Sequence, residues 1–183
     1  MLFRSPFDHE WIIEGAGTCG LEILEQIPDV DTIVVPVGGG GLVSGVAAAV
    51  KQSRTDTVVI GVEPAGAAKM TASLEAGAPV TLERATSIAD GLIPVRPGNI
   101  TFEHVQAYVD QVVTVTDDEI AKAALWMFFE GKQVVEPSGA ATVAAVLNAP
   151  QGSLLADRTR KVVAILSGGN VAPHTLADLA ARR

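Results

Sequence analysis

Four successive glycines at residues 38–41 form the segment of this chain best suited to binding chemistry. They follow an apolar, β-branched run at residues 32–37 and precede an alanine- and valine-rich stretch that begins near Leu42. Such a run of glycines costs folding entropy and is not expected for packing alone. Consecutive N–H groups without Cβ atoms can curve around an anion, and the positive end of the following helix points to the same place. The pattern predicts a phosphate site; the alternative is a mobile turn between strand and helix.

The residues after the glycines limit which phosphate compound can bind. A nucleotide P-loop would end in Gly-Lys-Ser/Thr, but Leu42 and Val43 stand in these positions. The phosphate is therefore not expected to belong to ATP.

Two further glycine clusters compete with this one. Residues 15–20 fit the dinucleotide pattern G-x-G-x-x-G, but the acidic residue expected about 20 positions on is missing from residues 35–41, so a glycine-assisted helix start is favoured. Ser167, Gly168, Gly169 and Asn170 follow an apolar run. The Ser167 hydroxyl can bond to a ring nitrogen while the glycines admit a flat ring; the alternative is a plain turn.

Strand and helix patterns alternate along the chain. Apolar runs predict strands at residues 32–37, 57–62, 112–115 and 161–166; the first, second and fourth are expected to be buried, the first to be central, and the third to be short. Helical spacing and end signals predict helices at residues 18–27, 42–52, 66–76, 137–147 and 173–181. A capping box at residues 116–119 predicts another helix, closed by Gly131, and residues 80–99 form a long ordered loop. The fold class is α/β, with a mostly parallel open twisted sheet and helices on both faces.

Composition excludes several classes of protein. The 183 residues include 13 Lys and Arg against 21 Asp and Glu, a net charge of -8, which disfavours nucleic acid and anionic membranes as partners. No apolar run approaches the roughly 20 residues that cross a bilayer. The single cysteine, Cys19, cannot form an internal disulfide, so a cytoplasmic location is predicted.

The order of short motifs resembles that of the serine/threonine dehydratases and serine racemases, which are fold type II pyridoxal phosphate enzymes with a tryptophan synthase β-like large domain. The motifs are residues 15–18, 37–42, 62–64, 88–91, 135–140 and 167–170. The resemblance covers residues 7–174 and implies pyridoxal 5′-phosphate as the cofactor. It implies that Gly38, Gly39, Gly40, Gly41 and Leu42 bind the cofactor phosphate, that Ser167 faces the pyridine nitrogen, and that Gly91, Glu136 and Gly168 surround the ring.

The chain departs from that family in its lysines. A pyridoxal enzyme needs a lysine amine to hold the cofactor aldehyde as a Schiff base. Lys51, Lys69, Lys122, Lys132 and Lys161 lie where the family has no catalytic lysine, and each is interpreted as a solvated surface charge. The expectation is a single domain over residues 1–183 that forms the C-terminal part of the large domain, without the N-terminal portion that carries the lysine and with a late or internal start at Met1. No catalytic residue is assigned.

A second departure concerns metal. The resemblance maps a divalent cation site of the family onto Glu63, Ala67 and Lys69, but a protonated lysine cannot be a ligand. No metal is expected, and the Lys69 ammonium is predicted to replace the cation by pairing with Glu63. The alternative is an exposed Lys69, with Glu63 capping a turn.

The resemblance implies the cofactor-binding portion of a threonine/serine dehydratase, which converts a hydroxy amino acid to a 2-oxo acid and ammonia by β-elimination. This chain alone is expected to be inactive, and the complete enzyme is expected to be a homodimer. The alternatives are a serine racemase or a β-replacing synthase of the same fold, and a non-catalytic binding module or split-enzyme subunit.

Overall fold

The computed structural model describes residues 5–181 as seven helices and four strands with two short 3₁₀ turns. In chain order these are α1 (Glu10–Gln26), β1 (Thr32–Pro36), α2 (Gly41–Ser53), β2 (Val58–Pro64), a 3₁₀ turn (Ala65–Ala67), α3 (Lys69–Ala76), a second 3₁₀ turn (Asp90–Leu92), α4 (Asn99–Tyr108), β3 (Gln111–Val115), α5 (Asp117–Phe129), α6 (Pro137–Leu147), β4 (Val162–Ala164) and α7 (Pro173–Ala180). Within residues 5–181, no helix has both the length and the apolar character needed to cross a membrane.

The four strands form one parallel sheet in the order β3-β2-β1-β4, which confirms the predicted fold class. Val34 of β1 lies opposite Ile60 on one side and Ala164 on the other. Successive β1 residues face opposite layers: Val34 packs with α5 and α6, while Ile33 and Val35 pack with α2 and α4. Helices therefore cover both faces of the sheet.

The strand β4 corrects one prediction. Residues 161–166 were expected to form a buried strand, but β4 is three residues long and only half-buried. It pairs with β1 alone among the described strands, so it lies at an edge of the described sheet, where neighbours cover it on one side only.

The helix α1 corrects another prediction, because it begins at Glu10 and contains the glycines that were expected to start it. Its glycines serve contact with α2. A Cβ atom at Gly45 would lie 2.2 Å from the carbonyl oxygen of Ile13, and one at Gly20 would lie 2.9 Å from that of Val46. The two helix backbones touch, which only glycine allows at these positions.

Local signals located several other helix ends correctly. Thr116 and Glu119 form the predicted capping box at the start of α5, and Pro137 begins α6. Gly77 ends α3 with φ of 69°. The helix α4 was not predicted, because its first turn is capped from a distance by Asp8, whose carboxylate accepts hydrogen bonds from the N–H groups of residues 99–101.

Candidate functional site

The glycine loop, residues 38–41, lies where β1 ends and α2 begins, and it borders a cavity of about 550 Å³ that we call the loop cavity. Ser167 follows β4, the strand that pairs with β1, so both segments leave the same edge of the sheet. The loop cavity is lined by Pro6, Phe7, Ile12, Ala16, Pro36, Gly38, Gly39, Gly40, Gly41, Leu42, Gly91, Leu92, Pro94 and Ser167. Seven of the nine residues predicted to bind the cofactor therefore line one cavity.

The first backbone N–H groups of α2 have no hydrogen-bond acceptor within the helix. The N-cap residue, Gly40, has φ of 103°, and no side chain caps the helix. The Ser44 N–H donates to the Gly40 carbonyl at 3.0 Å, so the N–H groups of residues 41–43 precede the first intrahelical bond. Gly41 and Leu42 line the loop cavity, so an anion there would lie beside their free donors and near the positive end of the helix dipole.

Packing within the protein explains why each loop position is glycine. A Cβ atom at Gly39 would lie 2.2 Å from the ring of Phe7, and one at Gly40 would lie 2.8 Å from Thr101. One at Gly38 would lie 2.9 Å from the carbonyl oxygen of Gly91. Packing alone therefore accounts for these glycines, contrary to the expectation from the sequence. The case for an anion depends on the free N–H groups and the cavity beside them.

Glu136 and Gly168 lie behind Ser167 and do not line the loop cavity. The Glu136 N–H donates to the Gly168 carbonyl at 3.1 Å, and the Glu136 carboxylate accepts from the Asn170 N–H at 3.1 Å. A Cβ atom at Gly168 would lie 2.2 Å from Glu136 Oε1. Glu136 thus fixes the turn that presents the Ser167 hydroxyl, and it borders a second cavity of about 560 Å³.

Gly91 lies between the two cavities and borders both. Its N–H donates hydrogen bonds to the Ser138 hydroxyl and to the Asp90 carboxylate, each at 2.9 Å. Ser138 is buried in the first turn of α6, so this helix fixes the wall that faces the glycine loop. Nothing in the sequence singled out Ser138 for this task.

Lys69 corrects the interpretation that all five lysines are surface charges, because its side chain is fully buried. Its ammonium lies 3.2 Å from Glu63 Oε2 and donates to the carbonyls of Val37 at 2.6 Å and Leu92 at 3.1 Å. Burial lowers the pKa of Lys69, and the Glu63 carboxylate opposes that effect. The predicted pair with Glu63 is confirmed, and it lies directly behind the glycine loop.

The described lining of the loop cavity contains no titratable side chain. The hydroxyl of Ser167 and the backbone N–H groups are its polar donors, while Phe7, Leu42 and Leu92 supply apolar surface. Such a site can bind a ligand with a phosphate at one end and a flat ring, but it contributes no proton-transfer group of its own.

Sequence comparison finds relatives along nearly the whole chain. A family described as pyridoxal-phosphate dependent enzyme matches residues 1–168. L-threonine ammonia-lyase of Thermotoga maritima is 45% identical over 170 residues, which are 93% of this chain and 41% of that protein. The catabolic L-threonine dehydratase of Escherichia coli is 40% identical over 170 residues, 93% of this chain and 51% of that protein. The chain thus spans about half the length of these relatives, or less.

Solved structures agree with the sequence matches. Maize serine racemase superposes with a TM-score of 0.89 at 39% identity, over 97% of this chain and 54% of that one. Threonine deaminase isoform 2 of Solanum lycopersicum also gives 0.89, at 37% identity, over 97% of this chain and 51% of that one. These similarities confirm the resemblance predicted from the order of the motifs.

Proposed function

Because the chain belongs to the family of pyridoxal-phosphate dependent enzymes, we propose that its loop cavity binds pyridoxal 5′-phosphate, with the phosphate on the glycine loop and the ring towards Ser167. The observation that carries this assignment is the uncapped N-terminus of α2, which borders a cavity free of titratable side chains. When bound, the cofactor supplies an electron-withdrawing ring for chemistry at the α-carbon of an amino acid.

Each predicted residue then has a task that its chemistry permits. The N–H groups of Gly41 and Leu42, which precede the first hydrogen bond within α2, donate to the phosphate, and Gly38, Gly39 and Gly40 form the backbone wall beside it. The Ser167 hydroxyl bonds to the ring nitrogen as a neutral partner. Glu136, Gly168 and Gly91 act by positioning: the first two hold the Ser167 turn, and Gly91 forms the facing wall.

The lysine that holds the cofactor aldehyde must come from elsewhere. Lys69 is bound by Glu63 and by two carbonyls, and no lysine lines the loop cavity within residues 5–181. We assign the lysine to further polypeptide that shares this site, as the family's covalent chemistry requires. This chain alone is accordingly expected to bind the cofactor without turnover.

For the complete protein we propose a threonine/serine dehydratase, which converts L-threonine or L-serine to a 2-oxo acid and ammonia. The names of the relatives from Thermotoga maritima and Escherichia coli support this reaction. Serine racemase is the second candidate, supported by the equally close superposition of the maize enzyme. A homodimer and a cytoplasmic location belong to the same proposal.

Cofactor binding can be tested on the chain itself by equilibrium dialysis with pyridoxal 5′-phosphate and with pyridoxal. The phosphate ester is expected to bind at least about tenfold tighter, because only it reaches the glycine loop. Pyridoxal controls for reaction of the aldehyde with surface lysines. Equal affinity for the two compounds would reject the phosphate site.

The reaction can be tested by mixing this chain with the part of the Thermotoga maritima relative that lies outside the 170 matched residues. Release of a 2-oxo acid from L-threonine or L-serine supports the dehydratase. Formation of D-serine as the main product supports the racemase instead. A mixture that binds pyridoxal 5′-phosphate but releases neither product supports the non-catalytic binding module.

A further inference from the structure

The peptide between Gly39 and Gly40 is free to adopt either orientation unless something holds it. Glycine flanks it on both sides, and glycine accepts conformations of either sign of φ. In a trans peptide the C=O and the next N–H point in opposite directions. The orientation of the Gly39 carbonyl therefore decides whether the Gly40 N–H points towards the loop cavity or away from it.

Thr101 of α4 holds the Gly39 carbonyl. Its hydroxyl donates to that oxygen at 2.7 Å, and the Gly98 N–H donates to the same oxygen at 3.2 Å. Thr101 is fully buried and does not line the loop cavity. Both donors thus pull the carbonyl towards the protein interior, which turns the Gly40 N–H the opposite way.

Lys69 holds the carbonyl that precedes the loop in a similar manner. Its ammonium donates to the Val37 carbonyl at 2.6 Å, and Lys69 is likewise buried and outside the cavity lining. The Gly38 N–H is the other half of that peptide, so it points away from Lys69. Buried donors therefore hold the carbonyls of two peptides, the one between residues 37 and 38 and the one between residues 39 and 40, on the side away from the loop cavity.

We propose that Thr101 and Lys69 are positioning residues, which hold the carbonyls of Gly39 and Val37 so that the N–H groups of Gly40 and Gly38 face an anion in the loop cavity. This inference rests on the proposed function, because the anion is the cofactor phosphate. On this proposal, two buried side chains set the orientation of the peptides in a loop whose own residues have no side chains.

The test is a titration of the ¹⁵N-labelled chain with inorganic phosphate, followed through the amide signals of residues 38–42. Thr101→Val keeps the shape of the side chain but removes the hydroxyl, and Gly39 retains its bond from Gly98. We expect this variant to raise the dissociation constant for phosphate at least about tenfold, whereas Thr101→Ser, which keeps the donor, stays within about twofold of the wild type.

Ser44→Ala is the matched control. It removes the hydrogen bond from the Ser44 hydroxyl of α2 to the Thr101 carbonyl, a buried contact of the same α4 residue, but leaves the Gly39 carbonyl bound. Its melting temperature should fall as much as that of Thr101→Val while its phosphate affinity stays within about twofold of the wild type. If Thr101→Val does not give a folded amide spectrum, Thr101→Ala takes its place with the same expected loss.

The outcomes separate this inference from the proposed function. If the wild type binds phosphate and Thr101→Val binds it equally well, or if Ser44→Ala loses as much affinity as Thr101→Val, the positioning role is overturned and the phosphate site stands. If the wild type shows no phosphate-dependent shifts at residues 38–42, the phosphate site and the positioning role are both overturned.

Discussion

The Lys69 ammonium is a single positive charge enclosed by three oxygen atoms, which come from the Glu63 carboxylate and the carbonyls of Val37 and Leu92. Glu63 also accepts hydrogen bonds from the N–H groups of residues 70 and 71. This environment resembles a cation site in its set of oxygen ligands. The Lys69 side chain thus takes the place of a bound cation, and it links the end of β1, the start of α3 and the wall near Gly91.

Replacing Lys69 by Met should destabilise the fold by about 3–5 kcal/mol, because it leaves the Glu63 carboxylate buried without its partner. The midpoint of urea unfolding measures the effect. Lys161→Met is the control, since that lysine is exposed, and its midpoint should barely move.

A double variant separates the buried charge from the lost packing. Glu63→Gln together with Lys69→Met removes both charges and should recover much of the stability that Lys69→Met alone loses. If Lys69→Met unfolds at the same urea concentration as the wild type, the pair contributes nothing to the fold.

At the scale of elements, contact between α1 and α2 determines how α2 is held beneath the glycine loop. Gly45→Ala should destabilise the chain by roughly 1–3 kcal/mol or more, because the new methyl group would lie 2.2 Å from the Ile13 carbonyl and 2.6 Å from the Gly17 nitrogen. Urea unfolding monitored by circular dichroism measures this cost.

Gly15→Ala is the matched control on the facing helix. Among residues 5–181, no atom other than the adjoining backbone of α1 lies within 4 Å of a Cβ placed there, so the substitution should stabilise α1 by about 0.5–1 kcal/mol. Losses of equal size at both positions would mean that the close approach of the two helices is not the reason for glycine at residue 45.

The capping box of α5 gives a smaller prediction at the same scale. Thr116→Ala should cost about 1 kcal/mol, because the Glu119 N–H loses its acceptor and the Glu119 carboxylate loses the hydroxyl. Thr116→Ser keeps the acceptor and should retain most of the stability. Thermal unfolding of the two variants side by side measures the difference.

Elements with local signals could be predicted from the sequence, and contacts between distant residues could not. The β-branched run predicted β1, and Thr116 with Glu119 predicted the start of α5. The start of α4 at residue 99 has no capping side chain nearby in sequence, because the capping carboxylate of Asp8 lies about ninety positions earlier in the chain. The same holds for the Phe7 ring against Gly39, which no local pattern indicates.

The candidate site divides in the same way. The glycines of the loop and Ser167 were found because they follow predicted strands, and parallel pairing brings them to one edge. The roles of Ser138 and Thr101 depend on hydrogen bonds between residues 47 and 62 positions apart. Their assignment requires the folded chain, since serine and threonine are common residues without a pattern of their own.

At the scale of the whole molecule, the net charge of the protein opposes the phosphate that we propose for its glycine loop. The net charge is -8, and the described lining of the loop cavity has no cationic side chain. In the proposed site, attraction of phosphate would therefore come from nearby N–H dipoles, whose range is short, and repulsion from charges spread over the surface.

This balance predicts a weak dependence of phosphate binding on salt. Between about 50 and about 300 mM potassium chloride, the dissociation constant for inorganic phosphate should change by no more than about twofold, because screening of the repulsion offsets screening of the dipoles. The ¹⁵N titration measures it at each salt concentration. A steep loss of affinity with salt would indicate that lysine or arginine side chains hold the phosphate.

The capping of α4 by Asp8 has a consequence for how relatives of this protein vary. One carboxylate accepts three backbone N–H groups of a helix whose own N-cap, Gly98, offers no side chain. A Cβ atom at Gly98 would lie 2.2 Å from the Asp8 carboxylate, so a larger residue at 98 would displace the acid from its capping position. These two positions should covary: relatives without the acid are expected to carry serine, threonine or aspartate in place of the glycine.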